Sequence, residues 1–282
     1  MSNGPRFFAP PENWDCERGS VALDPHETRH CQTVMRCQAG HRVVVFDGRG
    51  CQAQAAIPET QTRKASEVRG PAGAASRADL ELRIECLMPI EPRPPLLMLA
   101  TAIPKGKLME WIIEKSVELG VSEITPLLTE RTIVRIGPGE RVHRQQKWQR
   151  LAIEACKQCG QNWLPEVHEP ATSENFFLLT STAAFDLPLI ASLESGAAPL
   201  RKIVDAFRDT QSHLPRTAAL VVGPEGDLTA DEYAFARDRG WRALTLGALT
   251  LRVETAALFG ISILRHELSH SDCSGGFQTS GP

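Results

Sequence analysis

The chain has 282 residues, 42% of them apolar and 23% charged, with a formal net charge of -3. That length holds two domains or one large one, and the composition is ordinary for a globular protein. The small negative charge excludes a uniformly basic nucleic-acid binder and leaves room only for a local basic patch, and no apolar run approaches the ~20 residues of a membrane span. The eight cysteines are scattered, and the N-terminus is polar and proline-bearing. That pattern reads as reduced thiols in a cytoplasmic protein rather than as a disulfide framework.

Residues 1–72 read as a small β-rich module. Residues 43–46 (Val-Val-Val-Phe) form a strand, Asp47-Gly48-Arg49-Gly50 signals a hairpin, and residues 51–57 return from it. Asp24-Pro25-His26-Glu27 opens a short helix containing His30 and Val34, and Gly40 ends the segment. Arg6, Arg29, Arg36, Arg42 and Arg49 are candidates for phosphate contact, set against the plainer reading of solvated surface arginines. Residues 70–78 (GPAGAASRA) form a small-residue linker and the expected domain boundary.

The second domain is expected over residues 80–268. Residues 80–88 alternate apolar and polar as a strand does, and residues 96–103 form a continuous apolar run typical of a buried parallel strand. Pro104 ends that run, leaving Lys105 where ligands gather. A helix follows, with Leu108, Trp111, Ile112 and Leu119 as its expected apolar face and Gly120 as its stop. Lys105 can be an RNA contact or a solvated lysine at a helix start. After a strand at residues 121–128 the chain turns basic: Arg131, Arg135, Arg141, Arg144, Lys147, Arg150 and Lys157 meet only Glu130, Glu140 and Glu154. Arg141 and Arg144 are the candidates for RNA contact in this patch, against a charged, exposed face of the helix expected over residues 140–159. Residues 170–215 are less legible, with a helix near 173–179, a strand near 187–191 and a helix near 200–207.

The stretch 220–264 carries the chemistry. Leu220-Val221-Val222 is a strand stopped by Gly223-Pro224-Glu225-Gly226. Thr229 and Glu232 form a capping box for a helix running to about Arg239, with Gly240 beyond its end. Residues 242–246 are a second strand, Gly247 opens a second loop, and an apolar helix starts at Val253. Two strand–glycine loop–helix units in tandem place a ligand at the carboxyl ends of their strands. Neither G-x-x-x-x-G-K-[ST] nor G-x-G-x-x-G is present, so a phosphate cradle is not expected.

Gly223-Pro224-Glu225-Gly226, Leu246-Gly247 and Leu251-Arg252-x-Glu254-Thr255-Ala256 resemble the C-terminal signature of the small-subunit (16S) ribosomal RNA (uracil-N3)-methyltransferases of the SPOUT superfamily. Arg6-Phe7-Phe8, His30 with Val34-Met35-Arg36, Phe46-Asp47-Gly48, Met109-Glu110-Trp111 and Gln158-Cys159-Gly160 fit the same family in the same order. The resemblance implies an α/β fold: a SPOUT-type parallel sheet with a C-terminal trefoil knot, preceded by a small PUA-like β-barrel that grips RNA. It implies S-adenosylmethionine as cofactor, held by Val222, Gly223, Pro224, Glu225, Gly226, Leu246, Gly247, Leu251, Thr255 and Ala256. It further implies 16S ribosomal RNA or the small subunit as substrate, and a homodimer, with no membrane and no metal. Arg252 is the candidate for stabilising a uracil anion and Glu254 the candidate base; the alternative is that the two pair with each other or cap the last helix. The chain departs from the family's usual pattern at Gly247-Ala248-Leu249 (usually Gly-Pro-Arg), Val253 (usually Thr), Gln161 (usually Arg) and Asp227 (usually Gly). Ala248-Leu249 and Val253 keep open an inactive RNA-binding assembly factor, while against a SPOUT enzyme for another RNA, the other alternative, Arg6-Phe7-Phe8 and His30 with Arg36 favour the uracil-N3 group.

Two motifs read as decoys. His266-Glu267-Leu268-Ser269-His270 matches a zinc-protease pattern but falls where the last helix ends and a polar, glycine-rich tail (269–282) begins, which reads as disordered. Cys156 and Cys159 have redox spacing but lie in helical sequence, so Cys156 reads as a packing residue.

Overall fold

This computed structural model describes residues 4–59, 80–92 and 94–269; the expected linker at 70–78 and the expected tail beyond Ser269 lie outside the described residues. The chain divides into two compact units, Met1–Pro92 with Cys156–Leu164, and Arg93–Ala155 with Pro165–Pro282.

In the first unit, β1 (Arg6–Phe8), β2 (Trp14–Asp15), β3 (Ser20–Leu23), β4 (Arg42–Phe46), β5 (Cys51–Ala56) and β6 (Leu80–Pro89) form one sheet in the order β1-β4-β5-β6-β3-β2. The β4–β5 hairpin forms as its turn chemistry predicts. Asp47 Oδ1 accepts from the N–H groups of Arg49 and Cys51 at 2.7 and 2.9 Å, while Gly48 and Gly50 take positive φ. β6 corrects the expected boundary: it pairs antiparallel with both β5 and β3, and Leu80 and Leu82 join Phe7, Leu23 and Val45 in this unit's core. Alternation marked residues 80–88 as a strand but could not say which sheet would take it, so the partition falls after Pro92 rather than at 72–80. The helix α1 (Pro25–Arg29) starts where Asp24 accepts from the Glu27 N–H at 2.7 Å, and continues as a π-helical turn over His30–Val34.

The second unit contains β7 (Leu96–Ala102), α2 (Leu108–Glu118), β8 (Glu123–Leu128) and α3 (Pro138–Cys159). These are followed by β9 (Glu166–Val167), β10 (Ala171–Thr172), α4 (Ser173–Leu179), β11 (Leu187–Ala191), β12 (Ala198–Pro199) and α5 (Leu200–Gln211), then β13 (Thr217–Val222), α6 (Ala230–Arg237), β14 (Arg242–Thr245) and α7 (Val253–Leu268). The residues of α3 from Cys156 onward belong to the first unit. The sheet runs β10-β8-β7-β13-β11-β14-β12, with β9 also on β8, and the pairings are parallel. Strand residues alternate between two helical layers. Met98, Ala100, Ala219 and Val221 face the rings of Phe176, Phe177 and Trp241, which pack on one another with centroids 5.5–5.6 Å apart. Leu220 faces α7, which packs against β7 and β13. The approach is close enough that a Cβ on Gly260 would fall 2.4 Å from Leu220 Cδ2.

Two expectations for helices change. In α2 the buried stripe is Met109, Ile112, Ile113 and Val117, whereas Leu108 and Trp111 are 38% and 43% exposed. The stripe follows the same i, i+3, i+4 spacing, rotated by one residue. α6 opens with the expected capping box, Thr229 and Glu232 satisfying each other's N–H, but ends at Arg237.

Candidate functional site

Three loops at strand carboxyl ends make a pocket. β13 runs into Gly223-Pro224-Glu225-Gly226, β14 into Leu246-Gly247, and β11 into Ser192-Leu193. β11 lies between β13 and β14 and parallel to both, so the three loops leave the sheet on one edge. Together with the start of α7 they line one pocket that is open to solvent on one side.

Of the residues expected to hold a cofactor, Val222, Gly223, Pro224, Glu225, Leu246, Gly247, Leu251 and Ala256 line this space. Gly226 and Thr255 do not: the Gly226 carbonyl accepts from Arg131 Nη1 at 2.7 Å, and Thr255 is exposed on α7. The third wall, Ala191-Ser192-Leu193, was missed, as were Asp227, Leu249, Thr250 and Val253. The signal for the third wall was an apolar strand meeting Ser192, but only the sheet order reveals its neighbours.

The loops are held by local chemistry. The Asp227 N–H donates to the Pro224 carbonyl at 2.8 Å, closing a four-residue turn. A Cβ on Gly223 would meet Leu228 at 3.2 Å, and Gly247 stands at φ +116°, a conformation open to glycine and strained for other residues. Asp227 itself is at φ +62°, which accounts for the family's usual glycine there. Its Oδ1 offsets that strain by accepting from the Leu228 N–H and the Tyr233 O–H, each at 2.8 Å. Burial pushes the Tyr233 phenol well above its ordinary range, so it remains a donor.

Arg252 is the N-cap residue of α7, exposed, with no capping hydrogen bond from its side chain. It lies in sequence between Leu251 and Val253, both in the pocket wall. Glu254 is half-buried in the first turn of α7, and among the described residues the two form no ion pair with each other.

The basic patch is smaller than the sequence suggests. Arg131 braces the loop after β13, Lys147 pairs with Glu110, and Lys157, 9% exposed, donates to Glu27 Oε1 at 2.8 Å. Arg135, Arg141, Arg144 and Arg150 have no ion pair among the described residues. The Arg6 guanidinium donates to Gln52 Oε1 and Asn162 Oδ1, both at 2.8 Å, and lies 4.8 Å from the centre of the Phe46 ring. Burial lowers its pKa, and so engaged it braces the first unit. Arg42 pairs with Glu85 at 2.9 Å. Arg29, Arg36, Arg49 and Lys105 are exposed.

Cys156 is buried, and burial pushes its thiol up to about 12, the behaviour of a packing residue. His266 and Glu267 lie in the last turn of α7, while His270 is outside the described residues. Among the described residues no group of three or more His, Cys, Asp or Glu could hold a metal ion.

Fold and site define an α/β unit that holds a small molecule at the carboxyl ends of a parallel sheet, in a chain that also carries a separate β unit. The family model described as the RNA methyltransferase domain matches residues 91–265, and the one described as the RNA methyltransferase PUA domain matches residues 23–67. A ribosomal RNA small subunit methyltransferase E from Synechocystis is 31% identical over 238 residues, covering 84% of this chain and 70% of that protein. The protein of the same name from Bacillus subtilis is 26% identical over 253 residues, covering 89% and 91%. Among solved structures, a putative methyltransferase from Legionella pneumophila in complex with bound S-adenosylmethionine is 29% identical, with a TM-score of 0.76 over 94% of this chain and 98% of that one. A ribosomal RNA small subunit methyltransferase E from Neisseria gonorrhoeae, bound to S-adenosylmethionine, is also 29% identical, with a TM-score of 0.74 and the same coverage. The chain belongs to the RNA methyltransferase family, in the group of the ribosomal RNA small subunit methyltransferases E.

Proposed function

We propose that this chain methylates N3 of a uracil in the 16S ribosomal RNA of the small ribosomal subunit, with S-adenosylmethionine as cofactor. The observation that carries the reading is the pocket at the ends of β13, β11 and β14. Its apolar side chains suit an adenine and a ribose face, its glycine-rich turns bring backbone groups close, and its carboxylates suit a cation. S-adenosylmethionine supplies an electrophilic methyl group when bound there.

The protein's part is to orient, to exclude water and to manage a proton. Arg252, an exposed residue between the wall residues Leu251 and Val253, stabilises the negative charge that builds on the uracil as its N3 proton leaves. Glu254 is the candidate acceptor of that proton. Arg29 and Arg36 in the first unit, and Lys105, Arg141 and Arg144 in the second, are the candidate phosphate contacts. A first domain that grips RNA, a trefoil knot at the C-terminus, a homodimer and a cytoplasmic location belong to the same reading. No helix among the described residues is long and apolar enough to cross a membrane.

Mass mapping of ribosomal RNA from cells with and without this protein tests the reading, together with methyl transfer from labelled S-adenosylmethionine to small subunits and to free 16S RNA. One uracil in the 16S RNA should lose a methyl mass at N3 in the deficient cells. Identical maps, with no transfer to either RNA, would sink it.

A further inference from the structure

The pocket carries a charge that its apolar walls obscure. Glu225 and Asp227 are part of its lining, and no Lys, Arg or His is, among the described residues. Arg131 touches the same loop, its Nη1 donating to the carbonyls of Gly226 and Leu228, and is not part of the wall. Glu225 is exposed, where water and salt screen it.

Asp227 is fixed. Its backbone is held at φ +62°. Its Oδ1 accepts from the Leu228 N–H and from the O–H of Tyr233, a residue only 4% exposed. The Tyr233 hydroxyl also lies 3.4 Å from the carbonyl of Ala191 at the end of β11, so one side chain ties two of the pocket's three loops together. Asp227 Oδ2 has no protein partner among the described residues. The side chain is therefore a carboxylate held by two hydrogen bonds in the wall of a pocket whose other lining is largely apolar.

We propose that Asp227 is a specificity-determining residue whose carboxylate favours a sulfonium ligand, S-adenosylmethionine, over the neutral thioether that remains after methyl transfer, S-adenosylhomocysteine. This rests on the cofactor reading above. The two ligands differ by a methyl group and one positive charge, so an anion held in the wall attracts the first more strongly, and attraction beside apolar, low-dielectric walls exceeds that in bulk water. The consequence is a product that leaves more readily than the cofactor.

The test uses the full chain and calorimetric titration with three ligands: S-adenosylmethionine, S-adenosylhomocysteine, and the analogue in which an ammonium-bearing carbon replaces the sulfonium. Asp227→Asn keeps the shape and an acceptor for Tyr233 and Leu228 but deletes the charge. Asp227→Gly removes the side chain and suits the left-handed backbone. Both variants should bind the two cationic ligands about threefold to tenfold more weakly while changing the thioether by less than about twofold, and added salt should narrow the wild-type preference more than the variants'. An equal loss for all three ligands would mean that the side chain only shapes the pocket, and overturns the proposal; so does an unchanged preference. A wild-type chain that binds none of the three fails the cofactor reading itself, whereas one that binds the cofactor with a preference untouched in Asp227→Asn fails this inference alone.

Discussion

Arginines of similar appearance in the sequence have different fates. Arg6 turns inward onto Gln52, Asn162 and the Phe46 ring, so its charge organises the first unit. Arg252 is exposed at the head of α7, and among the described residues its side chain makes no capping hydrogen bond and no ion pair. A cation so placed can act on charge that develops only as the reaction proceeds, and removing such a group typically costs about a hundredfold or more in turnover. Arg252→Ala should therefore lower kcat by about that factor while S-adenosylmethionine affinity, measured by calorimetry, stays within about twofold. Unimpaired turnover would show that Arg252 has no part in the chemistry.

At the scale of elements, local rules placed the helices and strands, and packing chose their faces. The capping box at Thr229 works as the sequence says, and Glu232 does more than cap: its Oε1 also accepts from the Glu130 N–H and the Ser173 hydroxyl, tying the start of α6 to the loop after β8 and to α4. Along α3 the basic residues do not form one face with one role. Lys157, near the C-terminal end, is buried against Glu27, with their side chains 6% and 5% exposed, and is also 3.0 Å from His30 Nδ1. Deleting one partner of a buried pair leaves the other charge uncompensated, at a cost of roughly 3–5 kcal/mol. Lys157→Met should lower the denaturation free energy by about that amount, and adding Glu27→Gln should recover part of it. Equal midpoints for wild type and Lys157→Met in urea would show that the pair carries no such weight.

For the whole molecule, a formal charge of -3 conceals an uneven distribution. Arg131, Lys147 and Lys157 are engaged within their own units, leaving Arg135, Arg141, Arg144 and Arg150 as the cations of the stretch without ion pairs among the described residues. Each phosphate contact contributes about 0.7 to the log–log salt slope on single-stranded RNA and about 0.9 on a duplex. Reversing the charge at Arg141 and Arg144 together should weaken binding to 16S RNA and flatten that slope by about one to two contacts' worth, with melting temperature little changed. An unaltered slope would remove both residues from the interface. The sequence by itself determined the β-then-α/β order of the chain, the strand–glycine loop–helix units around Gly223 and Gly247, the α6 cap and the family, because each rests on spacing, turn chemistry or motifs within a short run. Only the tertiary structure decided that residues 80–89 join the first sheet, that Lys157 is buried against Glu27 while Arg6 bonds to Gln52 and Asn162, and that β11 inserts between β13 and β14 to bring Ser192 and Leu193 to the pocket. Those outcomes depend on which distant strand or carboxylate becomes a neighbour, and periodicity along a chain says which face of an element is apolar without saying what will cover it.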